Sequence, residues 1–347
     1  MRFVWFVTEN LLFLLHLLFG TMDETTAKSK VIGINLCVDH TTLAIVDVRG
    51  NILARDSICT SDYAEVTDFV SVLSEKIILL AEANGGYEAI RSVGISSPSA
   101  NFVTGCIENA PNLKWKGSVP LAAMLRDRLG MAVALANNAY VTALGEQAFG
   151  SAHGMKNFIV VSLGYVGIGS CFFSNGMAHI GARGFSGEFG HCCVVPNGRQ
   201  CTCGHKGCLE EYISARGMKQ TADELLASTD EPSLMRGADV SPMSLVSYCE
   251  QGDKLAIKVC TQTGRVLGIA LADYASLLDP EAIIMTGDLT KMGKWLVEPM
   301  IESFDAHVFH NISGKVRIFS SVLDNDDRNV LGASALAWEV KEYSLFL

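Results

Sequence analysis

Gly187-Glu188-Phe189-Gly190-His191, followed by Cys201-Thr202-Cys203-Gly204-His205-Lys206-Gly207-Cys208-Leu209-Glu210, is the stretch on which the reading of this chain turns. It sets one histidine ahead of a C-x-C-x4-C run within a short glycine-rich segment. Three thiolates and an imidazole make a complete tetrahedral shell for zinc, so His191, Cys201, Cys203 and Cys208 are the candidate ligands. The plainer alternative is a set of buried free thiols. Cys192 and Cys193 read as strand or core residues, and His205 is a competing ligand inside the loop. Carboxylates flank the knot, Glu188 before it and Glu210 after it. A metal knot between carboxylates suggests a rigid frame that aims polar groups at a ligand.

Around that stretch, the chain of 347 residues exceeds a single hydrophobic core, and two lobes are expected. A net charge of −10 disfavours a nucleic-acid surface, which needs a basic face. The 11 cysteines are an odd number spread along the chain, and only Cys201, Cys203 and Cys208 have ligand spacing. That is the usage of a reduced, cytoplasmic metalloprotein rather than of a disulfide scaffold.

The first residues fit that setting poorly. Residues 3–19 are very apolar, interrupted by Glu9, Asn10 and His16. As a signal peptide they have only Arg2 for a basic end and a poor cleavage site. As a membrane span they are short and carry a carboxylate, which is costly in lipid. A start at Met22 would make residues 23–30 a polar leader into the first strand. Export, membrane anchoring through residues 1–20 and a small folded appendage are the other readings.

Two segments read as openings of related lobes. Val31-Ile-Gly-Ile-Asn-Leu-Cys-Val38 leads to residues 41–48, the turn Arg49-Gly50-Asn51 and residues 52–55. Phe158-Ile-Val-Val-Ser-Leu-Gly164 leads to residues 167–173, the turn Ser174-Asn175-Gly176 and residues 177–180. Each reads as three short strands, the last two joined by a tight turn. Apolar strands at 91–95, 132–136, 282–286 and 316–320 alternate with helical patterns at 63–83 and 253–278, which points to α/β lobes. Ser241-Pro242 reads as a helix start, and Asp279-Pro280 as a stop. The expected division is an apolar leader at 1–29, a first lobe at 30–150 and a second lobe at 151–347. The last helix can return to the first lobe.

The knot, with Cys201-Thr-Cys-Gly-His-Lys-Gly-Cys-Leu-Glu210 after Gly187-Glu-Phe-Gly-His191, resembles the signature of the ROK family (repressor, open reading frame, kinase). Asn109-Ala-Pro-Asn-Leu113, Ala143-Leu-Gly-Glu146 and Leu331-Gly-Ala-Ser-Ala335 fit the same likeness, which runs from Val31 to the end and is nearest to glucokinase-like members. The resemblance implies two RNase H-like lobes of the actin and hexokinase type, a structural zinc in the second lobe, and a sugar and ATP-Mg in the cleft. It implies that Glu188, His191, Glu210 and Asn137 face the sugar, with Asn112 and Asn101 as weaker contacts. Gly167, Gly169 and Gly287 are implied at the nucleotide. A homodimer and a hexose or hexosamine ligand are expected on the same ground.

The phosphate side departs from the pattern. The family's Asn-Asp-Ala-Asn appears as Asn137-Asn138-Ala139-Tyr140, so the position of the catalytic base is Asn138. An amide takes no proton from a sugar hydroxyl, and a general base contributes roughly 10²–10⁴-fold in rate. The family's Asp-x-Gly-Gly-Thr appears as Asn35-Leu36-Cys37-Val38-Asp39, two glycines becoming Cys and Val. The later Gly-Gly is Gly287-Asp288, and the loop at Leu163-Gly-Tyr-Val-Gly167 carries one extra residue. The expectation is a hexose-binding protein with phosphorylation lost or much reduced. Its rival is a working ATP-dependent hexose kinase with a substitute base, and a sugar-responsive regulator stands third.

Overall fold

The computed structural model describes residues 28–340, and the apolar leader at residues 3–19 lies outside the described residues. Two five-stranded mixed sheets carry the chain. In the first, β1 (Lys30–Leu36) pairs antiparallel with β2 (His40–Asp47), which pairs with β3 (Ile52–Cys59). On its other side β1 runs parallel to β4 (Ile90–Ser96), and β4 to β8 (Ala132–Ala136). The second sheet repeats the plan. Strand β9 (Phe158–Leu163) lies between β10 (Ile168–Ser174) and β12 (Ala282–Thr286), with β11 (Met177–Ala178) and β13 (Arg317–Ser320) at the edges. A small sheet of β5 (Ala100–Asn101), β6 (Cys106–Glu108) and β7 (Ser118–Val119) extends the first half. The sequence pattern did not reveal it, because its strands are only two or three residues long.

Burial follows position in the sheet. Every residue of β12 is buried, as a parallel strand covered on both faces should be. Strand β3, at an edge, alternates exposed and sheltered residues with one face in solvent. The helix Val66–Glu82 buries Phe69, Val70, Leu73, Ile77 and Ala81, the spacing of one helical face. It begins later than the apolar pattern predicts because residues 60–62 form a 3-10 turn and Glu65 is extended. The helix Lys254–Leu278 is capped by Asp253, whose carboxylate accepts from the Leu255 and Ala256 N–H groups at 3.0 Å. It stops where Asp279 turns left-handed, at φ +44°, before Pro280.

The last helix, Asn325–Glu339, lies on the first sheet and beside the helix Asn138–Phe149. Contact is made backbone to backbone. A Cβ on Gly33 would meet the Val330 carbonyl at 2.2 Å, and one on Gly94 the Ala333 carbonyl at 1.9 Å. One apolar cluster joins the two halves beneath this helix, combining Ala136 and Leu144 with Phe158, Phe173, Ile284 and Leu336. Phe158 and Phe173 stack there with centroids 4.5 Å apart.

Candidate functional site

The parallel strands of the first sheet end together, and their last residues meet. Register places Asn35 of β1 opposite Ser96 of β4, and Ser96 opposite Ala136 of β8. The chain turns from Ala136 straight into the helix Asn138–Phe149. Its N-cap is Asn137, whose side-chain oxygen accepts from the Tyr140 N–H at 2.8 Å. Asn138 is the first helical residue, and its Oδ1 accepts from the Ser96 hydroxyl at 2.8 Å. Asn35, Ser96 and Asn138 therefore make an uncharged row at the carboxyl ends of the strands, where open α/β sheets bind ligands. Asn35 Oδ1 is buried with no hydrogen-bond partner.

The second half faces this row through β10. A Cβ on Gly169 would stand 3.1 Å from the Ala139 Cβ. Glu210, 8% exposed, accepts from the Ile168 N–H through Oε2 at 3.1 Å. The same oxygen lies 3.5 Å and 3.4 Å from the Cβ positions of Gly167 and Gly190. Glu210 thus props the start of β10 while standing beside Glu188. Glu188 is exposed on its outer side but crowded elsewhere. That desolvation lifts its carboxyl above the ordinary value, with His191 drawing it down and Glu210 pushing it up.

His191, Cys201, Cys203 and Cys208 converge, their ligand atoms all within 4.8 Å of one another. His191 Nδ1 lies 3.7 Å from Cys201 Sγ, and Cys203 Sγ lies 3.6 Å from Cys208 Sγ. Arg199 anchors the loop that carries them. Its guanidinium donates to the Glu211 and Gly217 carbonyls at 2.7 Å and 2.9 Å, to Thr221 at 2.9 Å, and to Glu224 at 2.7 Å. It also stacks over Tyr212 at 4.7 Å. His205 is exposed and outside the convergent set, and so are Cys192 and Cys193.

Other expected residues are placed differently. Asn101 is 2% exposed, and both ends of its amide are engaged. Its Nδ2 donates to the Arg183 carbonyl at 3.0 Å and its Oδ1 accepts from the Val103 N–H at 2.9 Å. Asn101 clamps the two halves together. Asn112 is exposed and lines a cavity with Val38 and Trp115, whereas Asn137 lines another with Ser170 and Ser186. Near the glycines expected at a nucleotide, the Gly164 N–H donates to the Gly167 carbonyl at 3.1 Å, so Tyr165 and Val166 form the tip of a turn. Gly287, at φ +91°, sits against the Leu163 backbone, and a Cβ there would meet the Leu163 carbonyl oxygen at 2.6 Å. Asp288 beside it pairs with Lys291. Ser96 and Arg199 belong to no motif, and nothing in their neighbouring residues singles them out.

Comparison with known proteins agrees with this fold. A family model described as ROK family matches residues 31–340. The glucokinase of Thermotoga maritima is 30% identical over 318 residues, covering 90% of this chain and 98% of its own. A putative xylose repressor of Caldicellulosiruptor sp. is 28% identical, covering 88% of this chain and 77% of its own. Among solved structures, a ROK family glucokinase from Streptomyces griseus in complex with glucose and AMPPNP superposes with a TM-score of 0.70 at 26% identity. It covers 90% of this chain and 100% of its own. The family match over residues 31–340, together with the nearly full-length glucokinase relative, establishes that this chain belongs to the ROK family.

Proposed function

We propose that the cleft binds a hexose or hexosamine through Asn137, Asn138, Glu188, His191 and Glu210, and that it phosphorylates the sugar from ATP slowly or not at all. The observation that carries this reading is the bond from Ser96 to Asn138. The amide oxygen at the base position is already an acceptor, and the amide nitrogen can only donate. Neither atom takes the proton that a sugar hydroxyl must lose in attack. Asn35 adds to the argument, since a neutral amide is a poorer partner than a carboxylate for the magnesium of a nucleotide. Carboxylates that accept hydroxyl hydrogen bonds, Glu188 and Glu210, remain to orient the sugar.

Zinc belongs to the same reading. Zinc–sulfur bonds of about 2.3 Å in a tetrahedron set sulfur atoms about 3.8 Å apart. The 3.6 Å and 3.7 Å separations within the His191, Cys201, Cys203 and Cys208 group suit that shell. A metal there would brace the wall that carries Glu188 and Glu210 and take no part in phosphoryl transfer. ATP and magnesium enter only to the extent that turnover is retained. A cytoplasmic setting is consistent with free thiols at such a knot.

A working hexose kinase is the second reading, favoured by the nearly full-length match to glucokinases. Phosphoryl transfer relies chiefly on positioning and charge, so it tolerates a missing base in part. Coupled ADP release from the protein and from Asn138→Asp, across a panel of hexoses, separates the two. A gain of at least ~10²-fold in the variant supports the proposal. Turnover of the natural chain at ordinary kinase rates, roughly 1–100 per second, overturns it.

A further inference from the structure

We propose that residues 180–186 form a strap that closes one edge of the cleft, and that Asn101 is the catch that holds it shut. This rests on the proposed sugar site, because the edge that the strap closes carries Asn137. The strap follows β11 in the second half and leads straight to Glu188. Its base is tied to its own half. The His179 N–H donates to the Phe172 carbonyl at 2.9 Å, and the Ser186 N–H to the Ile180 carbonyl at 3.2 Å. The N–H and the hydroxyl of Ser170 donate to the Gly187 carbonyl at 3.1 Å and 2.9 Å. The tip is held from across the cleft instead. Among the described residues, the only hydrogen bond to residues 181–185 comes from the Asn101 amide, which reaches the Arg183 carbonyl from the first half.

The catch is closely seated. Gly184 turns left-handed at φ +80°, and a Cβ there would stand 2.3 Å from Asn101 Oδ1. The two ends of the amide serve different halves. Oδ1 holds Val103 in the turn that follows Asn101, and Nδ2 alone reaches the strap. Beside the strap, Phe102, Asn137 and Tyr140 of the first half face Ser170, Gly184 and Ser186 across a cavity of about 10 Å³. That is barely the volume one water needs, so a hexose passes this edge only when the strap lifts. A loop tip held by a single neutral hydrogen bond opens at small cost. An element that admits a ligand and then shuts it in needs that property.

Asn101→Asp tests the catch while sparing the turn, since a carboxylate still accepts from Val103 but cannot donate to Arg183. Gly184→Ala attacks the same contact from the second half. Hydrogen exchange of the full-length natural chain and both variants is read by mass spectrometry without sugar. The proposal expects faster exchange at residues 181–186 in each variant, with unchanged exchange in β9 and β12 verifying the fold. Stopped-flow fluorescence with glucose and with N-acetylglucosamine then gives the association and dissociation rates. Both should quicken together by about fivefold, the worth of one neutral hydrogen bond, and leave the dissociation constant nearly unchanged. Three outcomes overturn the proposal: unchanged exchange at residues 181–186, unchanged sugar rates, or a faster dissociation alone, which would make Asn101 a direct sugar contact. If neither sugar binds the natural chain, the sugar-site reading fails, and the exchange result still decides whether Asn101 holds the strap.

Discussion

Arg199→Ala tests whether the knot is held by its own ligands or by the helix beneath it. The Arg199 side chain is 9% exposed and holds two main-chain carbonyls, those of Glu211 and Gly217. Hydrogen bonds from a charged donor contribute about 1.5–3 kcal/mol each, and their loss leaves carbonyls without partners. Stacking over Tyr212 adds roughly 0.5–1 kcal/mol. The ion pair adds little, because Glu224 is 56% exposed and such pairs are worth about 0–1 kcal/mol. These magnitudes overlap, and a loss of about 3–5 kcal/mol is expected for Arg199→Ala, among the larger effects of single substitutions. Glu224→Ala should cost under about 1 kcal/mol. Arg199→Lys should fall between, since an ammonium can reach the two carbonyls but gives up the Nη2 contacts to Thr221 and Glu224 and the stack on Tyr212. Urea denaturation of the three variants gives the comparison. A cost below about 1 kcal/mol for Arg199→Ala, or an equal cost for Glu224→Ala, refutes the reasoning.

Three further predictions follow from the same geometry. Cys208→Ser should remove one equivalent of bound zinc by atomic absorption and lower the melting temperature; full zinc content would exclude Cys208 as a ligand. Gly94→Ala should destabilise by about 1–3 kcal/mol or more, because the added methyl meets the Ala333 carbonyl. An unchanged denaturation midpoint would show that the last helix is not seated as described. Burial opposes ionisation of Asp253, but hydrogen bonds from Ala256, Ser233, Leu234 and Leu255 outweigh it and hold the carboxyl below its ordinary value. A depressed carboxyl stabilises the fold at neutral pH, and that contribution fades as pH falls below about 5. Asp253→Asn should therefore cost about 1 kcal/mol at pH 7 and progressively less in acid; a pH-independent cost would contradict this.

Much of this site was legible because its information is local. The knot is one short segment, and ligand spacing alone brings His191 to the three cysteines. The strand–strand–turn openings at Val31 and Phe158 show the repeated sheet plan because alternation and turn residues are written in adjacent positions. What the sequence withheld depends on distant partners. Asn101 carries the amide of a sugar contact, yet its two ends are taken by Val103 and by Arg183 of the other half. Ser96 and Asn138 lie 42 residues apart, and only the register of three strands puts them in contact. Arg199 looks like any loop arginine until the helix Ala215–Ser228 folds under it. Glycines at 33 and 94 lie inside apolar strand patterns, and nothing adjacent to them shows that they admit a helix from the far end of the chain.

The central claim is a cleft that binds sugar without transferring phosphate at kinase rates. Its most direct test measures hexose binding by calorimetry and hexose-dependent ADP release on one preparation of the natural protein. The account predicts saturable binding of at least one hexose with turnover at least ~10²-fold below ordinary kinase rates. Turnover at roughly 1–100 per second with that sugar would contradict it, and would mean that another group takes the proton Asn138 cannot.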